Sequence, residues 1–449
     1  MIKLGYGILL CRKGRISLKE NILKQLNEYT SLLNVYRCFP TIEKKDMITI
    51  LDLSLPTLNK VLSVLKEHDF LIFDEENKIN VINQEFGYYV GISVGSTQIK
   101  VVILNFAFEP LNNGNFNNVM QKCDIFSTDN SYGFKQEKDD NGYGYFYSST
   151  SKKELSELID QINYIFEQVV ILNEYLLVEN QGVLGIGLSF SGSVDIKNKI
   201  IESVPNIKYI RSLNYECLIG QKYREYLIEN NIPISIDHNA KTTAIAEKYY
   251  LYRNNTSFSE NENMAVLYMG FGISSGIVLN SRLYRGIKNS SGEIGHVPIL
   301  YKMSEDESEC CGCGSKNCLE FRIRKDVFGY TEDNFKEATT KELIDILNNN
   351  EEKIELFVEY IGYAINYLVN ILNIELIIFS GKLSSIYNGV PKFNKYFMNN
   401  IENYGIEYTR QNCKFSFSRL GLLSSAIGAA IESAYPDYEE IVWPVLRQR

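Results

Sequence analysis

The chain has no run of apolar residues approaching the ~20 that a bilayer-spanning helix needs. Its opening segment, MIKLGYGILLCRKGRISLKE, places charges after a short apolar patch, the reverse of a secretory leader, and has no small-residue cleavage site. Both absences point to a cytoplasmic protein with no membrane partner. An excess of positive charge is missing as well: 46 Lys and Arg against 55 Asp and Glu leave a net charge of −9. That excludes a chain that coats nucleic acid over its whole surface, while leaving room for one local DNA-binding module. Histidine is scarce, with 3 in 449 residues, so a histidine beside other metal-binding side chains carries information.

The 9 cysteines lack an even spread. Cys11, Cys38, Cys123, Cys217 and Cys413 are scattered and suit small buried hydrophobes in a reducing cell. Cys310, Cys311, Cys313 and Cys318 are clustered, which is a metal-site pattern rather than a disulfide framework. His296 precedes them in SSGEIGHVPILYKMSEDESECCGCGSKNCLEFR. One imidazole (His296) and three thiolates (Cys311, Cys313, Cys318) suit tetrahedral Zn²⁺, a structural ion that needs no open position. Cys310 is an alternative ligand, but Cys311 gives the Cys-x-Cys-Gly spacing, with Gly314 freeing the turn.

Residues 1–85 are helix-rich and poor in glycine. A helix at Lys45–Leu51, a turn at Asp52-Leu53-Ser54, a second helix from about Leu55 to His68 and a hairpin from Phe70 to Val81 outline a winged helix-turn-helix. Leu58, Val61, Leu62 and Leu65 fall at helical spacing, and Ser54 with Pro56 suits a helix start. The polar side of the second helix offers Thr57, Asn59, Lys60, Ser63 and Lys66 to bases and phosphates. Charge is almost balanced over these residues, a thin electrostatic footprint that leaves open a module binding a protein partner instead.

From Gly87 onward strands alternate with helices, giving an α/β class with two similar lobes. The expected division is a DNA-binding domain at 1–85, a first lobe at 86–200 completed by a last helix at 421–435, and a second lobe at 201–420 carrying the zinc site. Two glycine-containing turns, in VGISVGSTQIKVVILN and YMGFGISSGIVLNSRLYRG, leave backbone free to approach an anion or ligand. SIDHNAKTTAIAE places polar groups where a strand gives way to a helix, a common place for chemistry in α/β folds.

GEIGH, the Cys-x-Cys-Gly…Cys-Leu-Glu run and the strand-end cluster together resemble the ROK family, named for repressors, open reading frames and kinases. The resemblance covers roughly residues 87–435, with LGIGLSFSGSVD, Val204-Pro205-Asn206 and IELIIFSGKLS in support. It implies an actin-like two-lobe fold, as in sugar kinases, with a sugar in the cleft. The winged helix-turn-helix places the chain in the repressor branch, implying a DNA operator, a sugar effector and a homodimer or homotetramer. Residue by residue, the resemblance makes Glu293, His296 and Glu320 sugar contacts, with His238 and Asn239 beside them, and His296, Cys311, Cys313 and Cys318 zinc ligands.

Phosphoryl transfer to a sugar needs a carboxylate to accept the hydroxyl proton and acids to manage metal and phosphate. The resemblance puts the kinase base at position 239, and an amide stands there, which cannot act as a base near neutral pH. Ser93 stands where the phosphate turn would carry an aspartate, and Ser274 and Ser275 stand where glycines are common. The expectation is a sugar-responsive regulator without catalytic residues. The alternative is a hexose or N-acetylhexosamine kinase with an appended module, in which Asp237 takes over as base.

Overall fold

The computed structural model describes residues 2–4, 7–9, 21–111, 125–126, 132–139, 141–150, 154–203, 211–254, 263–299, 311, 313–315, 317–335, 338–400 and 405–435. Cys11, Cys123, Cys310, Val204-Pro205-Asn206 and the acidic stretch before Cys311 lie outside the described residues.

The N-terminal module contains α1 (Asn21–Cys38), α2 (Lys44–Leu51) and α3 (Leu55–Glu67). Helices α2 and α3 meet at 106°, inside the helix-turn-helix range. Local chemistry sets that corner. Asp52 ends α2 in the left-handed region (φ 52), and the Ser54 hydroxyl accepts the Thr57 N–H at the start of α3. Leu58, Val61, Leu62 and Leu65 turn inward as one buried stripe. Strands β1 (Leu71–Asp74) and β2 (Ile79–Ile82) form the antiparallel wing, whose turn is held by Asp74 accepting the Glu76 and Asn77 N–H groups at 2.9 and 3.1 Å.

The first lobe is built on β3 (Tyr88–Val94), β4 (Gln98–Asn105), β5 (Lys135–Lys138) and β6 (Gly144–Ser149). Helix α4 (Leu155–Val178) leads to β7 (Val183–Phe190), and a small antiparallel sheet follows: β8 (Ser193–Asp195), β9 (Ile200–Ser203) and β10 (Arg211–Asn214). The main sheet is closed by β11 (Ile234–His238), in the order β11-β7-β3-β4-β6-β5. The second lobe orders β12 (Met264–Met269), β13 (Ile273–Leu279), β14 (Arg282–Tyr284), β15 (Leu376–Gly381) and β16 (Lys414–Phe417) as β14-β13-β12-β15-β16. In each lobe an antiparallel hairpin (β3–β4, β12–β13) continues into parallel strands, so the two lobes share one plan. That is the actin-like α/β fold expected, preceded by the winged module.

One expected boundary moves. Strand β11 pairs in parallel with β7, Ile234 opposite Ile186 through His238 opposite Phe190, and Ile201, Leu218, Leu227 and Ile232 pack in the first lobe's core. The first lobe therefore runs on to about residue 238 rather than ending at 200, because a pairing across some 48 residues leaves no mark in local sequence.

Helix α6 (Glu351–Leu372) belongs to the second lobe's core, while α5 (Asn239–Asn254) and α7 (Ser424–Ser433) pack against each other between the lobes. Glycine makes this closeness possible. A Cβ at Gly187 would lie 1.9 Å from the Ala429 carbonyl oxygen, and one at Gly428 would lie 1.7 Å from that of Thr242. Among the described residues the winged module has no separate core: Leu32, Leu62 and Phe70 join Val102, Phe106, Ile245 and Ile427 in one apolar cluster.

Candidate functional site

Strand β11 delivers Asp237 and His238 to the cleft, and α5 begins at Asn239. The change from strand to helix sends the three side chains to different partners. Asn239 donates its amide to the Ser191 hydroxyl at 2.8 Å. His238 is buried and accepts the Ala240 N–H on Nδ1 at 3.2 Å, so the proton of the neutral ring sits on Nε2. Burial and the nearby Lys241 ammonium push His238 down to about 3.

Asp237 is wholly buried. It accepts from the Arg285 guanidinium and from the Asn289 amide at 2.6 Å, and Arg285 also donates to Glu432 on α7 at 2.7 Å. Burial alone would raise the Asp237 carboxyl, but Arg285 and Lys241 outweigh it and hold it below the usual range. The Glu432 carboxyl, by contrast, is pushed well up by burial and by the neighbouring Asp237. Asp237 therefore does not point the same way as Asn239, and it serves as a counter-ion.

The GEIGH loop is fastened to β13 by backbone. Ser275 N–H donates to Gly292 O at 2.7 Å, and a Cβ on Gly292 (φ +86) would lie 1.8 Å from Ser275 O. This brings Glu293 and His296 to the cleft beside Lys241, which is buried and donates to Ser291 O at 3.0 Å. Burial raises the Glu293 carboxyl, with Lys241 and His296 opposing that rise. Glu320, on the short helix Leu319–Arg322, accepts the Ile273 N–H at 3.2 Å. A Cβ at Gly272 would lie 2.4 Å from its Oε2, so the glycine turn of β12–β13 is what admits this carboxylate.

His296, Cys311, Cys313 and Cys318 converge, with all four ligand atoms within 4.8 Å of one another. Cys313 and Cys318 Sγ are 3.3 Å apart, and His296 Nδ1 is 3.7 Å from Cys311 Sγ. Ligands of tetrahedral Zn²⁺ at a Zn–S bond of about 2.3 Å would stand about 3.8 Å apart. Gly314 (φ +90) makes the turn between the cysteines, closed by Gly314 N–H to Cys311 O at 2.8 Å. The donor set and spacing fit a structural tetrahedral ion.

At the end of β3, Ser93 lies 2.8 Å from Ser425 of α7, hydroxyl to hydroxyl, and so joins sheet to helix. At the distal end, α3 exposes Asn59, Lys60, Ser63 and Lys66 on one face. Thr57 is half-buried with its hydroxyl 2.8 Å from that of Ser54, and Asn59 accepts from Lys44 at 3.0 Å. Sequence reasoning missed Arg285, Asn289, Lys241 and Ser191. Only Lys241 had a local signal, as a charge inside the alanine-rich run beside Asp237.

The ROK family profile matches residues 152–432. The xylose repressor of Caldicellulosiruptor bescii is 22% identical over 392 residues, covering 81% of this chain and 85% of that protein. A glucokinase of Halalkalibacterium halodurans is 24% identical over 268 residues, covering 55% of this chain and 74% of that enzyme. Among solved structures, a ROK family transcriptional regulator, homolog of the E. coli MLC protein, superposes with a TM-score of 0.60 at 16% identity, covering 93% of this chain and 98% of the other. A ROK glucokinase from Streptomyces griseus, solved with glucose and AMPPNP, gives 0.51 at 16% identity, covering 77% of this chain and 99% of its own.

Proposed function

The chain belongs to the ROK family, and on that premise we propose that it is a sugar-responsive, DNA-binding transcriptional repressor without kinase activity, working in the cytoplasm. The observation that carries this reading is the fate of the two candidate bases. Asn239 is an amide bonded to Ser191, and Asp237 is consumed by Arg285 and Asn289. Neither is free to take a hydroxyl proton. Glu293, His296 and Glu320 still face the cleft as polar groups suited to sugar hydroxyls, with His238 and Asn239 at its floor.

His296, Cys311, Cys313 and Cys318 would hold Zn²⁺, which cross-links the loop and fixes the orientation of the His296 ring. Sugar binding between the lobes favours one degree of closure over another. On DNA, Asn59, Lys60, Ser63 and Lys66 of α3 make the contacts, with Thr57 at the helix start. Paired half-sites need two such helices, hence at least a dimer.

The test is a thermal-shift screen of D-xylose, D-glucose and N-acetylhexosamines with and without ATP–Mg²⁺, beside selection of DNA from a random pool. Stabilisation by sugar alone, with a selected operator and no ADP release, is the expected result. ATP-dependent phosphorylation of any of these sugars would overturn the reading in favour of a kinase.

A further inference from the structure

Helix α5 has one end in the sugar cleft and the other on the DNA-reading module. It starts at Asn239, which bonds to Ser191, and it carries Lys241 beside Glu293. Its 16 residues span roughly 24 Å at the helical rise and contain neither glycine nor proline. Its seat is close on two sides, because Gly276 lets Ala240 O approach β13 and Gly428 lets Thr242 O approach α7. A rod packed this tightly moves as a unit or not at all.

At the far end α5 grips the turn after β4. Tyr249 and Tyr250 donate their hydroxyls to Ala107 O at 3.0 Å and Phe108 O at 3.3 Å, and Arg253 donates to Ala107 O at 3.3 Å and pairs with Glu109. The turn itself is stiff: Asn105 Oδ1 accepts the Ala107 and Glu109 N–H groups at 2.9 and 3.0 Å.

Arg37 of α1 sits on the other side of the same turn. It donates to Phe106 O at 3.1 Å, and its guanidinium lies 3.9 Å from the Phe108 ring centroid and 4.7 Å from that of Phe106. Helix α7 supplies a parallel tie just past its end, where the Tyr435 hydroxyl donates to Asn34 at 2.7 Å. A cavity of about 400 Å³, lined by Tyr36, Arg37, Ile72, Val81, Ala107 and Arg253, flanks this joint and gives the winged module space to shift against the turn.

We propose that α5 is the link that carries the state of the sugar cleft to the winged helix-turn-helix, acting through the Ala107–Glu109 turn onto Arg37. Tyr249, Tyr250 and Arg253 are positioning residues, since they touch neither sugar nor DNA. The proposal rests on the repressor reading above and adds the route of its regulation.

The experiment compares the full chain with two variants, Tyr250→Phe/Arg253→Met and the milder Tyr249→Phe/Tyr250→Phe. Operator affinity is measured with and without D-xylose and D-glucose, together with amide exchange over residues 29–38. The native chain is expected to change operator affinity at least about 5-fold on binding its sugar, with the reciprocal change in sugar affinity. In the variants each separate affinity stays within about 3-fold of native while the coupling factor falls toward 1, and sugar no longer alters exchange over 29–38. If the first variant does not fold, the second, which loses only two hydroxyls, decides. Folded variants that keep the native coupling overturn the link and leave the repressor reading standing. A native chain that binds no sugar or no operator removes that reading, and the link with it.

Discussion

Arg285, reaching across from the second lobe, holds Asp237 at the end of strand β11 in the first. The same guanidinium reaches Glu432 on α7, so one cation ties strand β11 and helix α7 to the segment that follows β14. The Asp237 carboxylate is thereby built into the frame that joins the lobes.

Removing that carboxylate should therefore be felt in stability. Asp237→Asn leaves the half-buried Arg285 guanidinium with less compensation, and breaking one side of a pair buried on its acidic side costs on the order of 2 kcal/mol. Urea unfolding of the variant should show that loss. A variant as stable as the native chain would mean that Glu432 alone satisfies Arg285.

Glu247 provides a pH signature. It is buried on α5, accepts from Ser380 at 3.2 Å and from Ser418, and burial pushes its carboxyl up to about 7. The unfolded chain gives up this proton near the ordinary carboxylate value, about 4.3, while the folded chain keeps it. Stability from this group is thus full below that value and is lost as pH rises toward 7. Glu247→Gln should remove this dependence, leaving the variant more stable relative to native at pH 8 than at pH 5, by on the order of 2 kcal/mol. Equal differences at both pH values would show that the carboxyl titrates normally.

Metal removal should separate the zinc site from the rest of the fold. Cys318→Ser is expected to lower bound zinc from one per chain to a trace, by elemental analysis, and to lower the melting temperature by several degrees. Loss of sugar-induced stabilisation should accompany it, because such an ion would join the GEIGH loop carrying His296 to Cys318, next to the short helix that carries Glu320. Full zinc content in the variant would point to a different ligand set.

On DNA, the two kinds of side chain on α3 should behave differently. Lys60→Ala should weaken binding to all sequences alike and reduce the salt slope by about 1. Asn59→Ala should relax preference at one position of the selected operator while leaving the salt slope unchanged. A matching loss of slope in both variants would mean that Asn59 contacts phosphate.

What could be read from sequence was whatever is written locally. The turn at Asp52, the Ser54 cap and the buried stripe of α3 each depend on a few neighbouring residues, and the metal cluster depends on side-chain type and spacing. The hairpins β3–β4 and β12–β13 announce themselves through glycine turns. The rest depends on pairs distant in sequence. Strand β11 belongs to the first lobe because it pairs with β7, and Asp237 is occupied because Arg285, on the far side of α5 and three strands, folds back onto it. Asp237 and Asn239, two residues apart, reach different partners because the strand ends at His238 and the helix begins at Asn239.

The apolar cluster that runs without a seam from α1 and α3 into β4, α5 and α7 sets a condition on how such a protein can be rebuilt. Its reading head is not a detachable cassette: cutting after residue 85 would bare Phe70 and Leu71 on one piece and Phe106 and Phe108 on the other. Chimeras that exchange DNA specificity among such regulators would need to carry the 105–109 turn and the last helix along with the head, or replace single residues on α3 and leave the chain uncut.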